Sequence, residues 1–126
     1  MQRDRIASAT FQEIWAEVVD PLYIEAASRP AEVPARPEVV LDVLALWLLH
    51  SVAARSGLAS LVAEEPPWMG ARVAAAARRL GLDDVADLWE RAALDTLERL
   101  LVSGRHAALN EWLVEKIRQH PDAFGA

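Results

Sequence analysis

The chain contains no cysteine among its 126 residues, and this absence removes several kinds of chemistry. A disulfide framework, a thiolate nucleophile and a sulfur-ligated metal site all need cysteine. Its absence also fits a reducing compartment, so we expect a cytoplasmic protein. Lysine is scarce too, since Lys116 is the only one, and the net charge is −6. Because phosphate-backbone contacts need many basic side chains, we expect no direct binding to nucleic acid.

Motifs for nucleotide binding and covalent catalysis are also missing. The chain has no P-loop, no G-x-G-x-x-G element and no G-x-S-x-G nucleophile elbow. The first residues carry charge without the apolar stretch of a secretory signal. No histidine has a second one four residues away, which is the spacing of metal-binding pairs on a helix. We therefore predict no catalytic residue, no metal site and no cofactor, and we expect His106 and His120 on the surface.

One apolar run, Val39 to Ala54, is the segment around which we expect the fold to be arranged. It does not alternate between apolar and polar residues, and its leucines and alanines favour a helix. Pro37 suits a first helical position, and Gly57 suits the position that ends a helix. The run is shorter than the roughly 20 apolar residues of a membrane span, and it contains Asp42 and His50. We therefore predict a buried central helix and no membrane segment.

The residues before this run predict one helix and one connector. Apolar residues at helical spacing indicate an N-terminal helix within residues 1–28. Pro21 should bend this helix, because the proline ring opposes the carbonyl group four residues earlier. Residues 29–37 contain three prolines and no apolar period, so they predict a semi-extended connector.

The residues after the central run predict further helical pieces. We expect a short one at 58–63, one of about three turns at 69–80 that ends at Gly81, and longer ones at 83–101 and 105–120. No strand candidate is present. The sequence therefore predicts an all-α fold, a compact single-domain bundle of about five main helices around the buried central helix. This domain spans residues 1–126, with residues 38–126 forming the helical core.

Carboxylates are concentrated at the start of the helix that we predict from residue 83. Asp83, Asp87 and Glu90 share one face, and Asp83 suits the N-cap. Such a face could hold a divalent cation or serve as acid and base. The other interpretation is a solvated surface that also caps the helix, with ion pairs such as Asp87–Arg91. A second acidic spot lies in a proline loop, where Trp68 suits an aromatic anchor at an interface. The residues that we predict to bind a partner are Glu64, Glu65, Trp68, Asp83, Asp84, Asp87 and Glu90.

Two polar residues of the central helix need a separate explanation. An acid on so apolar a helix must face an exposed strip or pair internally. The conceivable partners of Asp42 are Arg72, Arg78 and Arg79. We interpret His50 as a structural residue that needs a hydrogen-bond partner. The alternative to a binding protein is a small metal-dependent or acid/base helical enzyme that uses Asp42, His50 and the Asp83–Glu90 acids.

Two neighbouring segments carry a family resemblance. They read ALWLLHSVAARSGLASLV (Ala45–Val62) and ARVAAAARRLGLDDVADLWERAA (Ala71–Ala93). Together, over residues 45–93, they resemble the core of the bacterial DNA-mimic protein family, formerly a domain of unknown function. Where that family has a glycine doublet, an aromatic pair and a turn, this chain has Ser56-Gly57, Leu58 with Leu61, and Leu80-Gly81-Leu82.

The resemblance implies an all-α fold without enzymatic activity and an acidic surface that engages a basic partner, such as a DNA-binding protein. Related antitoxin-like and immunity proteins have a similar binding role. We therefore predict a non-enzymatic protein-binding module whose acidic helical surface mimics nucleic acid or acts in an immunity or antitoxin-like role. A homodimer formed through Trp68 and its proline loop would double the acidic surface.

Overall fold

The computed structural model describes residues 2–55, 57–59, 61, 70–102 and 106–124. Every regular element within these residues is helical and none is a strand, which confirms the predicted all-α fold. The elements are α1 (Arg3–Ser8), α2 (Phe11–Ile14), a π-helical turn (Trp15–Val19), α3 (Asp20–Ser28), a 3-10 helix (Pro30–Ala35), α4 (Glu38–Arg55), α5 (Gly70–Arg79), α6 (Asp83–Glu90), α7 (Leu94–Leu100), α8 (His106–Gln119) and a second 3-10 helix (Pro121–Phe124). One cluster of buried side chains runs through them, from Ile6 to Phe124.

Helix α4 is the buried centre of the fold, as the apolar run predicted. Every residue from Val40 to His50 is buried, and α4 packs against both α5 and α8. The carbonyl group of Pro37 accepts a hydrogen bond from the N–H of Leu41 at 3.3 Å. Pro37 therefore lies one residue before the helix, and not at its first position as predicted. No helix in the described part of the chain is long and apolar enough to cross a membrane.

The end of α4 requires glycine for two reasons, and the predicted helix end at Gly57 is confirmed. Gly57 has φ +84°, in the left-handed region that favours glycine, and its N–H donates to the carbonyl of Val52 at 2.9 Å. A Cβ atom at this position would also lie only 2.9 Å from Oε1 of Glu98. That oxygen accepts a hydrogen bond from the N–H of Leu58 at 2.8 Å, which ties α7 to the end of α4.

The N-terminal helix is interrupted at Ala9 and Thr10, a break that we did not predict although Thr10 and Glu13 have the spacing of a capping box. Both residues have extended backbone, and Thr10 starts a new helix with a capping box. The Thr10 hydroxyl accepts from the N–H of Glu13 at 3.2 Å, and the Glu13 carboxylate accepts from the N–H of Thr10 at 3.3 Å. The Thr10 hydroxyl also donates to Oε1 of Glu13 at 3.0 Å. The hydrogen bond from the Thr10 backbone and then the one from its hydroxyl hold the pKa of Glu13 below its usual range.

Pro21 does not end the helix, because a π-helical turn absorbs it. In a regular α-helix its ring would press on the carbonyl of Glu17 and one hydrogen bond would be lost. Residues 15–19 widen instead, and the N–H of Asp20 donates to the carbonyl of Trp15, five residues earlier. The helix then continues through α3, so a local change of register at residues 15–19 accommodates Pro21 within a continuous helix.

The predicted connector is helical too, which corrects the semi-extended interpretation. Residues 30–35 form a 3-10 helix whose last turn is closed by a hydrogen bond from Arg36 N–H to the Val33 carbonyl at 3.0 Å. Val33 is buried, and Arg36 forms an ion pair with Glu25 of α3. Proline fixes φ near −65°, which suits a 3-10 turn as well as an extended chain, so three prolines alone did not distinguish the two.

Helix α5 ends at Gly81, as predicted. Gly81 has φ +76°, and the N–H of Leu82 donates to the carbonyl of Ala77 at 2.9 Å, which completes a Schellman motif. Helix α6 then begins at Asp83 with Leu82 as its N-cap, and no side chain caps it. The prediction that Asp83 is the N-cap was therefore wrong by one position. Its carboxylate still lies in the first turn, where the helix dipole favours negative charge.

The long helix predicted at 83–101 is divided into α6 and α7 at Ala92, which corrects that prediction. Ala92 has φ +55°, and the N–H of Ala93 donates to the carbonyl of Leu88 at 2.9 Å. The geometry matches that at Gly81, but the chain has neither glycine nor proline here. The left-handed conformation costs a non-glycine residue about 1–2 kcal/mol. Because no glycine is present here, the sequence indicated a continuous helix.

Replacing Ala92 with glycine should stabilise the protein by about 0.5–1 kcal/mol. Glycine removes the strain of the left-handed backbone, but it loses more chain entropy on folding, so the gain is smaller than the strain. Urea unfolding measures the change. The matched control is Ala75→Gly on the exposed side of α5, which should destabilise the protein by about 1 kcal/mol. A similar loss of stability in both variants would contradict the prediction.

Candidate functional site

The predicted carboxylates of α6 form an acidic face, which consists of Asp83, Asp84, Asp87 and Glu90. Helix α6 buries Val85 and Ala86 on its other side. This packing leaves Asp83, Asp87 and Glu90 exposed and Asp84 partly exposed. Oδ1 of Asp84 accepts a hydrogen bond from the N–H of Val85 at 2.9 Å. The acidic face therefore has the orientation that the helical spacing predicted.

Arg78 of α5 reaches across to the acidic face, and the sequence did not indicate this contact. Its Nη2 atom lies 3.0 Å from Oδ1 of Asp87 and also forms an ion pair with Glu90. Hydrogen bonds to Glu90 and then to Asp87 raise the pKa of Arg78. The expected partner of Asp87 was Arg91 on the same helix, but the ion pair joins two helices instead. Arg78 therefore compensates part of the negative charge of this face and fixes its position relative to α5.

Asp42 is buried on α4 and pairs internally with arginines of α5, which is one of the two alternatives that the sequence left open. Only 7% of Asp42 is exposed. The guanidinium of Arg79 donates two hydrogen bonds to the carboxylate of Asp42, with Nε 2.8 Å from Oδ2 and Nη2 2.6 Å from Oδ1. The Nη1 atom of Arg72 lies 3.8 Å from Oδ1 of Asp42. The hydrogen bond to Asp42 raises the pKa of Arg79. The Nη1 atom of Arg79 also lies 3.5 Å from Oε1 of Glu38. Two of the three conceivable partners are therefore confirmed.

Asp42 lies at a cavity of about 230 Å³ where α4, α5 and α8 meet. Helix α8 and the residue after it contribute a stripe at four-residue spacing, Trp112, Lys116 and His120. The Nζ atom of Lys116 lies 5.4 Å from the centre of the Trp112 ring, within cation–π range. Two carboxylates face two permanent cations around this cavity, so its charges nearly balance. This arrangement stabilises the junction of three helices and is a weak candidate for capturing an ion.

The stripe on α8 was missed in the sequence, although its spacing was a usable signal. Residues four apart lie on one face of a helix. A tryptophan, a lysine and a histidine at 112, 116 and 120 therefore indicate one partly polar face. Helical spacing alone does not indicate which helix this face contacts.

The residues of the alternative enzyme interpretation are not brought together. His50 is buried on α4, eight residues after Asp42, which is about 12 Å along the helix axis. It does not line the Asp42 cavity. Within the described ranges no group of three or more histidine, aspartate or glutamate side chains is placed to hold a metal ion. His120 is exposed, as predicted.

Three of the predicted binding residues, Glu64, Glu65 and Trp68, lie outside the described residues. Of the short helical piece predicted at 58–63, residues 58, 59 and 61 are described, and all three are helical. The candidate binding site therefore consists of the acidic face of α6 and its ion-pair partner Arg78.

Comparison with known proteins adds no information about the candidate binding site. No family model, no curated protein and no solved structure matches the chain. The resemblance to the DNA-mimic family therefore depends on the residue pattern at 45–93 alone.

The Asp42–Arg79 pair should be a measurable source of stability. We expect Arg79→Met to lower the free energy of unfolding by about 2 kcal/mol at neutral pH, because it leaves a buried carboxylate with only the more distant Arg72. Adding Asp42→Asn to this variant should recover part of the loss, and the double-mutant cycle should give a coupling of about 1–3 kcal/mol. Arg91→Met removes an exposed arginine and should change stability by less than about 0.5 kcal/mol. Additive effects of the two substitutions would contradict this assignment.

Proposed function

We propose that the protein is a non-enzymatic binding module that presents the acidic face of α6 to a basic protein partner. The observation that carries this proposal is the one-sided exposure of α6. Its carboxylates lie on the solvent side, whereas Val85 and Ala86 fix the helix to the core. A rigid helix holds charged groups in a defined pattern, and such preorganisation lowers the entropic cost of binding.

The balance of charge on this face favours a cationic partner. Four carboxylates lie there, and Arg78 bridges two of them. Asp83 and Asp84, at the N-terminal end, are not part of that bridge. A partner arginine or lysine would meet Asp83 directly, and it would share or displace Arg78 at Asp87 and Glu90. The net charge of −6 would steer a basic protein towards this surface.

We further propose that the partner binds nucleic acid, because the acidic face presents a row of negative charges, as a phosphate backbone does. Asp83, Asp87 and Glu90 are separated by about 6 and 4.5 Å along the helix axis. Phosphates along one DNA strand are about 3.4 Å apart along the duplex axis. A basic surface that binds the phosphates of DNA could therefore also bind the carboxylates of α6, although these are farther apart than the phosphates. A homodimer would extend the row of carboxylates. In an immunity or antitoxin-like role, the acidic face would likewise bind a basic protein.

The test is capture of partners from a lysate of the source organism, with a charge-matched control. The face variant combines Asp83→Asn, Asp87→Asn and Glu90→Gln. The control combines Asp4→Asn, Asp95→Asn and Glu111→Gln, which remove three exposed carboxylates elsewhere. We expect wild type and control to retain the same basic protein, and the face variant to retain at least about tenfold less, a difference of ~1.4 kcal/mol.

Two further measurements separate electrostatic recognition from other contacts. Raising the salt from about 0.1 M to about 1 M shortens the Debye length from about 10 Å to about 3 Å and should release the partner. Duplex DNA should compete with the protein if the captured partner binds nucleic acid. Equal capture by the wild type and the face variant, or capture that resists salt, would reject the proposal.

A further inference from the structure

A second cavity, of about 380 Å³, is lined by aromatic side chains from two parts of the chain. Its described wall consists of Trp15, Asp20, Tyr23, Ile24, Trp47 and Ser51. We call it the aromatic cavity. It shares no lining residue with the acidic face of α6 or the Asp42 cavity. Its volume falls near the lower end of the roughly 300–1,000 Å³ that ligand pockets occupy.

The rings of the aromatic cavity are held at angles to one another. The Tyr23 and Trp47 rings have their centres 5.1 Å apart and are tilted by 57°. Trp47 is almost wholly buried, whereas Trp15 and Tyr23 are half-buried, so Trp47 forms the floor. Phe11 packs against Trp15 with ring centres 4.9 Å apart and supports it. Three aromatic rings, of Trp15, Tyr23 and Trp47, therefore line the cavity, and the face of such a ring carries the negative part of its quadrupole.

The π-helical turn explains why Trp15 and Asp20 line the same cavity. Residues five apart in a regular α-helix point about 140° apart around the axis, at 3.6 residues per turn. Here the N–H of Asp20 bonds to the carbonyl of Trp15, which closes a wider turn and brings residue 20 above residue 15. Pro21 favours this widening, and π-turns are frequent at functional sites. The local sequence therefore places a carboxylate beside an aromatic ring.

The carboxylate of Asp20 is available to a ligand. Asp20 is exposed, and it takes part in none of the ion pairs formed between described residues. Ile24, which is 63% exposed, adds an apolar surface to the same wall. Aromatic rings, a carboxylate without an ion-pair partner among the described residues and an apolar rim together favour a cation that carries apolar groups.

We propose that the aromatic cavity binds a methylated or quaternary ammonium group. An unmethylated ammonium has three N–H donors and a guanidinium has five, and all of them need acceptors. The described lining offers few acceptors, on Asp20, Tyr23 and Ser51. A quaternary ammonium has no N–H group and spreads its charge over methyl groups, which pack on aromatic faces. Asp20 supplies the compensating charge. This inference does not depend on the proposed function of α6.

Choline is the first probe, and its neutral isostere is the control. Isothermal titration calorimetry should show saturable binding of choline, and its N-methyl proton resonances should move upfield because they lie over ring faces. The alcohol 3,3-dimethylbutan-1-ol has the same shape without the charge, and it should bind at least about tenfold more weakly. Equal binding of choline and the neutral alcohol would overturn the proposal.

Variants of the lining residues separate charge from ring contacts. Asp20→Asn should weaken choline binding about fivefold and leave binding of the neutral alcohol unchanged. Asp95→Asn, which removes an exposed carboxylate outside this cavity, is the charge-matched control and should leave both unchanged. Trp15→Leu should weaken choline binding about tenfold. Tyr23→Phe keeps the ring and should stay within about twofold of wild type. Unchanged choline binding in Trp15→Leu would overturn the assignment, with circular dichroism verifying its helical fold.

A second pair of probes distinguishes the source of the ammonium group. A short peptide that carries trimethyllysine is compared with the same peptide carrying unmodified lysine. Tighter binding of choline than of the methylated peptide indicates a small-molecule ligand. The opposite order, with at least about tenfold preference over unmodified lysine, indicates a methylated protein. Binding of neither choline nor the methylated peptide overturns the proposal.

Discussion

Burial of α4 on every side is the constraint on which the rest of the structure depends. A helix that is apolar all round must be covered by its neighbours, and α5 and α8 provide this cover. The same burial makes Asp42 costly, since removing an unpaired charge from water costs several kcal/mol. Helix α5 solves both problems. Its buried Ala76 and Ala77 allow a close approach to α4, and Arg79 neutralises the carboxylate.

Two neighbouring arginines connect the core to the candidate binding face. Successive residues of an α-helix point about 100° apart around its axis. Arg79 therefore reaches inward to Asp42, whereas Arg78 reaches along the surface to Asp87 and Glu90. The Gly81 turn brings α6 back beside α5, which makes the second contact possible. The ion pair that stabilises the buried acid and the one that shapes the acidic face thus come from adjacent positions on one ten-residue helix.

The sequence predicted the features that depend on strong local signals. The long apolar run indicated α4, and glycines marked the ends of α4 and α5, because positive φ is costly for other residues. It did not predict the break at Ala92, where a residue that favours helices adopts positive φ, or the π-turn that accommodates Pro21. At the candidate site, helical spacing placed the carboxylates on one side of α6. The pairing of Arg78 with them, and the presence of Trp15 and Trp47 in the wall of one cavity, depend on how distant helices pack, which local pattern does not encode.

The two proposed recognition surfaces use negative charge in physically different ways. The carboxylates of α6 are solvated, so their attraction for a partner is long-range, sensitive to salt and tolerant of the partner's shape. The aromatic cavity holds one carboxylate beside rings whose quadrupoles act only at contact distance. Salt should therefore weaken binding at α6 far more than binding in the cavity. In the cavity, the cost of removing water from the N–H groups of an unmethylated cation provides most of the selectivity for a methylated one. A chain with a net charge of −6 attracts cations to both surfaces, but only the cavity distinguishes cations by the groups that surround the charge.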